Sequence, residues 1–236
     1  MPEFQKPKVF VEVSGGPDSF ALLWHKKLEA RYRGDQQEVV GLHISWGAHY
    51  AYQEYMSAKQ VAEICGVELR VLRVESLATN FWGVGEFGGL PILRNVFSIH
   101  GLAADYARMH GGIEVANGSI LEDARDMPQT RAMLDCLQQM QALTPRNSVS
   151  GAGSRLKISA PLLNIDKSTV FAQAVSEEGL EADLLSVATF SCLKPSSDGQ
   201  QCGQCRACRR RNQALLDAKL PDHSQYLTNP TSLGRI

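Results

Sequence analysis

The chain has 236 residues, 44% of them hydrophobic and 21% charged, and a formal net charge of -1. That is length enough for one large domain with a full core, and too little positive charge for a protein held on nucleic acid through many phosphates. No apolar run approaches the length of a membrane span and the opening MPEFQKPK has no apolar signal core, so a cytoplasmic protein without membrane contact is expected.

Short apolar runs at 9–13, 39–44, 69–74, 113–116 and 156–160 read as strands. Between them lie segments of helical periodicity. Tyr55, Ala58, Ala62 and Cys65 keep one such face, Phe97, Ile99, Leu102, Ala103 and Tyr106 a second, and Met133, Leu134, Leu137 and Met140 a third. Strands alternating with helices predict an α/β fold, a parallel five-stranded sheet flanked by helices. The stretch 144–154 is small, polar and rich in breakers and reads as a loop, either a lid or a passive connection. A helix is expected from about 166 to 180, then a cysteine-rich segment and a polar tail. We expect an ATP-binding domain over 1–187 and a metal-binding segment over 188–236.

Between the first strand and the first helix stands SGGPDS, Ser14 to Ser19. Glycines there let the backbone approach an anion closely, and amides at a helix start point toward it. The motif lacks the GxGxxG spacing of dinucleotide folds and the GK[ST] ending of a Walker loop. Ser14 and Ser19 can donate to phosphate oxygens, whereas Asp18 would repel bare phosphate and suits magnesium. The plainer alternative is an ordinary tight turn with Asp18 or Ser19 as helix cap. Of six cysteines, four crowd together as Cys192, Cys202, Cys205 and Cys208. Four thiolates complete tetrahedral zinc and leave no open position, which points to a structural ion. An iron-sulfur cluster competes, with redox-active thiols behind it. Cys65 and Cys136 fit buried helix positions.

SGGPDS resembles the SGGxDS pyrophosphate loop of the PP-loop ATP pyrophosphatase superfamily, whose fold is the parallel sheet of the adenine nucleotide α-hydrolases. The cysteine segment ending CGQCRACRR resembles that of the QueC, or 7-cyano-7-deazaguanine synthase, family within it. Pro91-Ile92-Leu93-Arg94-Asn95, the stretch from Gly118 to Asp123, and Ser159-Ala160-Pro161-Leu162-Leu163 followed by Asp166-Lys167 resemble further elements of that family. The resemblance implies adenylation of the carboxylate of 7-carboxy-7-deazaguanine, amide formation with ammonia, and a second ATP-driven step to the nitrile. By position it puts Ser14, Gly15, Gly16, Asp18 and Ser19 on ATP and Mg2+, with Lys167 neutralising the phosphates. Arg94, Asn95, Glu122 and Asp123 fall on the substrate side, Arg131 among the catalytic residues, and a structural Zn2+ on the four cysteines. A homodimer is also implied.

Two stretches depart from the family pattern. Ser45-Trp46-Gly47-Ala48-His49 replaces an aspartate-tyrosine-glycine-glutamine run, and Pro128-Gln129-Thr130-Arg131 replaces P-D-C-R. Both follow strands, where open α/β sheets bind ligands, so Trp46, His49 and Thr130 mark altered substrate choice. A QueC-like enzyme of type IV CBASS anti-phage operons, which joins the deazaguanine to a protein amine, is the second reading. A tRNA-thiolating enzyme is the third: Arg206, Arg209, Arg210 and Arg211 would be its basic patch and Cys65 or Cys136 its sulfur relay, but the charge balance speaks against nucleic acid.

Overall fold

The computed structural model describes residues 6–74, 91–143 and 155–233, with the side chains of 91–96 and 232–233 outside that description. Five strands form one parallel sheet: β1 (Lys8–Glu12), β2 (Glu38–Ser45), β3 (Glu68–Arg73), β4 (Gly112–Ala116) and β5 (Lys157–Ser159). Their spatial order is β3-β2-β1-β4-β5. The chain thus leaves β1 toward one edge and returns beside it as β4. That reversal opens a crevice at the carboxyl ends of the two strands.

The sheet is covered on both faces, so its central strands carry apolar residues almost continuously. On one face Val9, Val11 and Val13 meet Phe20 and Leu23 of α1 (Pro17–Tyr32), Phe171 of α6 (Lys167–Ser176) and Leu215 of α8 (Arg206–Asp217). On the other, Phe10, Val40, Leu42 and Val115 pack against Ala103, Ala104 and Ala107 of α3 (Pro91–Met109). Helices α2 (Ala51–Cys65), α4 (Leu121–Asp126), α5 (Thr130–Leu143) and α7 (Leu184–Val187) complete the layers.

Each expected strand is present to within about two residues, the usual scatter of element ends. The differences lie in the helices. Along α3 the buried line is His100, Ala103, Ala104 and Ala107 rather than the larger residues. Small side chains there let the helix approach the sheet closely. In α5 the line Met133, Leu134, Leu137 continues to Gln141, leaving Met140 half exposed, and Cys136 is exposed instead of buried. One position off a stripe rotates a side chain by about 100°. Helix α6 ends at Ser176, four residues early, because Gly179 adopts φ +71° and Leu180 N–H turns back to Ala174 O. The stretch 144–154 lies outside the described residues.

Candidate active site and metal centre

The loop after β1 follows from its sequence. Gly15 has φ +83°, and a Cβ there would sit 2.5 Å from the carbonyl oxygen of Glu54 in α2. Only glycine fits. Gly16 is the N-cap of α1 and Pro17 its first residue, and no side chain caps this N-terminus. Neither Asp18 nor Ser19 caps it: Ser19 Oγ donates to Gly16 O at 2.9 Å and lies 3.2 Å from Ser14 Oγ. An uncapped start to a 16-residue helix, flanked by two hydroxyls, suits phosphate. Gly118 closes the other wall, where a Cβ would lie 3.3 Å from the Ser19 backbone.

Asp18 Oδ2 pairs with Lys167 Nζ, while Oδ1 is buried without a partner among the described residues. Lys167 is set by the start of α6, whose N-cap Asp166 accepts Thr169 N–H at 2.9 Å; hydroxyl and amide donors hold the Asp166 carboxyl down at about 2. Glu122 accepts the Lys167 N–H at 3.0 Å. Asp123 accepts Ile120 N–H at 3.1 Å, and burial, with the nearby Asp18 charge, raises its carboxyl above the ordinary range. A divalent ion binds through one or two carboxylates plus substrate phosphates. The unpartnered Asp18 oxygen and the adjoining Asp123 fit that donor set.

Two clefts share Ser14, Asp18, Glu54 and Asp123 as walls. The inner one, about 330 Å³, runs over the crevice between β1 and β4 and is lined by Glu12, Trp46, His100, Asn117 and Thr130 among others. The outer one, about 530 Å³, lies between the SGGPDS loop and the cysteine segment and is bounded by Lys167, Phe190, Arg206 and Arg210. Glu54 stands at their junction, and burial pushes its carboxyl up to about 8.

The structure therefore brings together Ser14, Asp18, Ser19, Trp46, Asp123 and Thr130 in the inner cleft and Lys167 in the outer one. Glu122 lies in an adjoining hollow of about 260 Å³ with Lys167 and Arg210. His49 is exposed and packs edge-on against Tyr50 at 4.9 Å, and Arg131 is exposed with its guanidinium on Asn164 Oδ1 at 2.5 Å. Neither lines the three hollows. Arg94 and Asn95 fall in α3, but their side chains lie outside the described residues. The inner cleft also holds Glu12, His100 and Glu54, which belong to no sequence motif. Their signal is a charged or titratable residue inside an apolar run or on an otherwise apolar helix face.

The four cysteine sulfurs lie within 4.8 Å of one another. A tetrahedral zinc thiolate with bonds of about 2.3 Å spaces its sulfurs about 3.8 Å apart. Cys192 Sγ accepts the N–H groups of Lys194 and Cys202 at 3.3 and 3.2 Å, and Cys202 Sγ that of Cys205 at 3.3 Å. Such donors suit thiolate charge, so the residues fit a metal ion. Gly203 permits the turn, since a Cβ would lie 1.7 Å from Thr228 O. Phe190 N–H donates to Gly15 O at 2.9 Å, which ties this segment directly to the SGGPDS loop.

The arginines beside the cysteines do not form one basic patch. Arg211 is fully buried and donates to the carbonyls of Leu185, Ser186 and Thr189, while Arg206 and Arg210 hold the Asp126 carboxylate at 2.6 and 2.5 Å. Burial pushes the Cys65 thiol up to about 12, and neither Cys65 nor Cys136 lines the hollows described.

A parallel sheet of this order, with SGGPDS at its reversal point, is the architecture of a PP-loop enzyme. Among solved structures, a U34-tRNA thiolase NcsA from Methanococcus maripaludis shares the fold: TM-score 0.51 and 17% identity over 75% of this chain and 58% of that one. The profile of Queuosine biosynthesis protein QueC matches residues 92–219, more than half of the sequence, and the chain belongs to the QueC family. The 7-cyano-7-deazaguanine synthase of Thiobacillus denitrificans is 26% identical over 94% of this chain and 99% of its own. That of Acinetobacter baylyi is 28% identical over 94% and 96%.

Proposed function

We propose that the protein adenylates the carboxylate of 7-carboxy-7-deazaguanine with ATP, releasing pyrophosphate, and that ammonia displaces AMP to give the amide. A second ATP-dependent step then dehydrates the amide to 7-cyano-7-deazaguanine. The observation that carries this reading is the pair of clefts meeting at Ser14, Asp18 and Asp123, one facing the phosphate loop and the other roofed by apolar residues at the sheet reversal. A free carboxylate is a poor acyl donor, and an adenylate makes AMP its leaving group.

In this reading Ser14, Gly15, Gly16 and Ser19 hold the phosphates through hydroxyls and the uncapped helix start. Asp18 and Asp123 would hold Mg2+, which supplies charge neutralisation on the phosphates. Lys167 turns from Asp18 to the same phosphate oxygens when ATP is bound. Zinc on Cys192, Cys202, Cys205 and Cys208 fixes the segment carrying Phe190, and with it the outer wall. Trp46 and Thr130, where the sequence departs from the family pattern, both line the inner cleft; a second reading has a protein amine in place of ammonia.

The test is incubation of the purified protein with ATP, magnesium and 7-carboxy-7-deazaguanine, with ammonium or a candidate acceptor protein, followed by mass spectrometry. AMP with an amide or nitrile small molecule supports the first reading. AMP with added mass on the protein supports the second, and AMP release indifferent to the deazaguanine rejects both.

A further inference from the structure

Strand β1 ends in Glu12, which alternation places on the same face as Phe10, toward the apolar layer of Val40, Leu42, Ala103 and Ala104. Helix α3 answers with His100, whose Nδ1 donates to Glu12 Oε2 at 2.6 Å. Their side chains are only 10% and 12% exposed. A buried ion pair seldom stabilises a fold better than the apolar pair that could replace it. Packing alone therefore does not explain a carboxylate and an imidazole in this layer.

Both residues line the inner cleft, and Glu12 Oε1 has no hydrogen-bond partner among the described residues. Asn117 Nδ2 and Thr130 Oγ1, on the same lining, are likewise buried and unpartnered. The Asn117 amide has a defined orientation, because its Oδ1 accepts Ser119 N–H at 3.1 Å. Leu42, Ile44 and Ile99 supply apolar wall. A hollow of about 330 Å³ with apolar walls, a strong acceptor at one point and an amide donor at another is complementary to a flat heterocycle with an N–H edge and a ring acceptor.

We propose that Glu12, held in place by His100, accepts the amino N–H edge of a purine-type base, with Asn117 donating to an acceptor on the same ring. Glu12 is then a specificity-determining residue and His100 a positioning residue. The inference rests on the nucleotide and deazaguanine reading given above, and two bases there offer this edge: the 2-amino pyrimidinone ring of the deazaguanine and the 6-amino ring of ATP. Burial draws the His100 pKa down, but the Glu12 charge and hydrogen bond outweigh it and the net shift is upward. The hydrogen bond from His100 keeps the carboxylate oriented. A base without the amine would leave Glu12 Oε1 buried and unpaired, a defect that sites of this kind convert into discrimination on the order of 100-fold or more.

Equilibrium binding tests this with two ligand pairs, ATP against ITP and 7-carboxy-7-deazaguanine against its 2-desamino analogue. The wild-type protein should prefer the aminated member of one pair. Glu12→Gln, isosteric and still able to accept from His100, should reduce that preference at least tenfold and leave the other pair unchanged. Loss confined to the deazaguanine pair assigns the cleft to the substrate base, and loss confined to the ATP pair assigns it to adenine. A wild type that discriminates in neither pair, or a preference that survives Glu12→Gln, overturns the inference. If the ATP preference depends on Glu12 while deazaguanine does not bind, the inference stands and the proposed substrate falls. Should Glu12→Gln fold too poorly to titrate, His100→Gln is read in the same assay. A severalfold loss of preference is expected, and an unchanged one overturns the role of the pair.

Discussion

Replacing Gly15 with alanine should damage the SGGPDS loop far more than a glycine-to-alanine change ordinarily would. Two costs add at this position. The residue has φ +83°, and a left-handed conformation costs an L-residue about 1–2 kcal/mol. The new Cβ would lie 2.5 Å from Glu54 O and 3.0 Å from the Ser57 side chain. Relief requires α2 and the loop to part by several tenths of an ångström, and overpacking of this sort costs about 1–3 kcal/mol. Gly34 separates the terms: its φ is +72° and a Cβ there meets nothing within 4 Å. Urea unfolding of Gly15→Ala, Gly34→Ala and wild type, with ATP affinity measured on each, should show both variants sharing the backbone cost. The Gly15 variant alone should carry the further loss and bind ATP at least tenfold more weakly. Equal stability and equal ATP affinity in the two variants would refute the close approach of loop and α2.

Other consequences follow from the buried polar groups and the cysteine cluster. Arg211→Met leaves the carbonyls of Leu185, Ser186 and Thr189 without their donor, so thermal unfolding should report a loss of about 3–5 kcal/mol. Chelation, or Cys192→Ser, should lower the melting midpoint by roughly 10 °C or more and weaken ATP binding with it, because Phe190 N–H holds Gly15 O; a chelator with no effect on either would remove the structural metal. Burial raises the Glu54 carboxyl to about 8, so the folded state keeps a proton that the unfolded chain releases near pH 4.5. Glu54 should therefore cost stability as pH rises from about 5 to 8, by up to about 1.4 kcal/mol per unit. Urea midpoints across that range should fall less steeply in Glu54→Gln.

The tight SGGPDS turn and the cysteine cluster were legible because each packs several constrained residues into a short span. The sheet was legible too, since strands buried on both faces leave dense apolar runs. Glu12 and His100 were not, because each is a single polar residue in such a run, and only tertiary packing sets it against its partner 88 positions away. Helix α8 was hidden in a charged stretch, RACRRRNQALLD, whose buried Arg211 donates to carbonyl acceptors contributed by residues 22 to 26 positions earlier. His49 and Arg131 were placed by position in a motif, and their side chains point to Tyr50 and Asn164 instead of the clefts. Motif register fixes where the backbone runs more firmly than where a loop side chain turns.

The decisive experiment is isotope transfer from 7-carboxy-7-deazaguanine labelled with 18O in its carboxylate. If the carboxylate attacks the α-phosphate and an amine later displaces AMP, one labelled oxygen must appear in AMP, in proportion to amide formed. Unlabelled AMP, or label in inorganic phosphate with ADP as the nucleotide product, would contradict adenylation at this site.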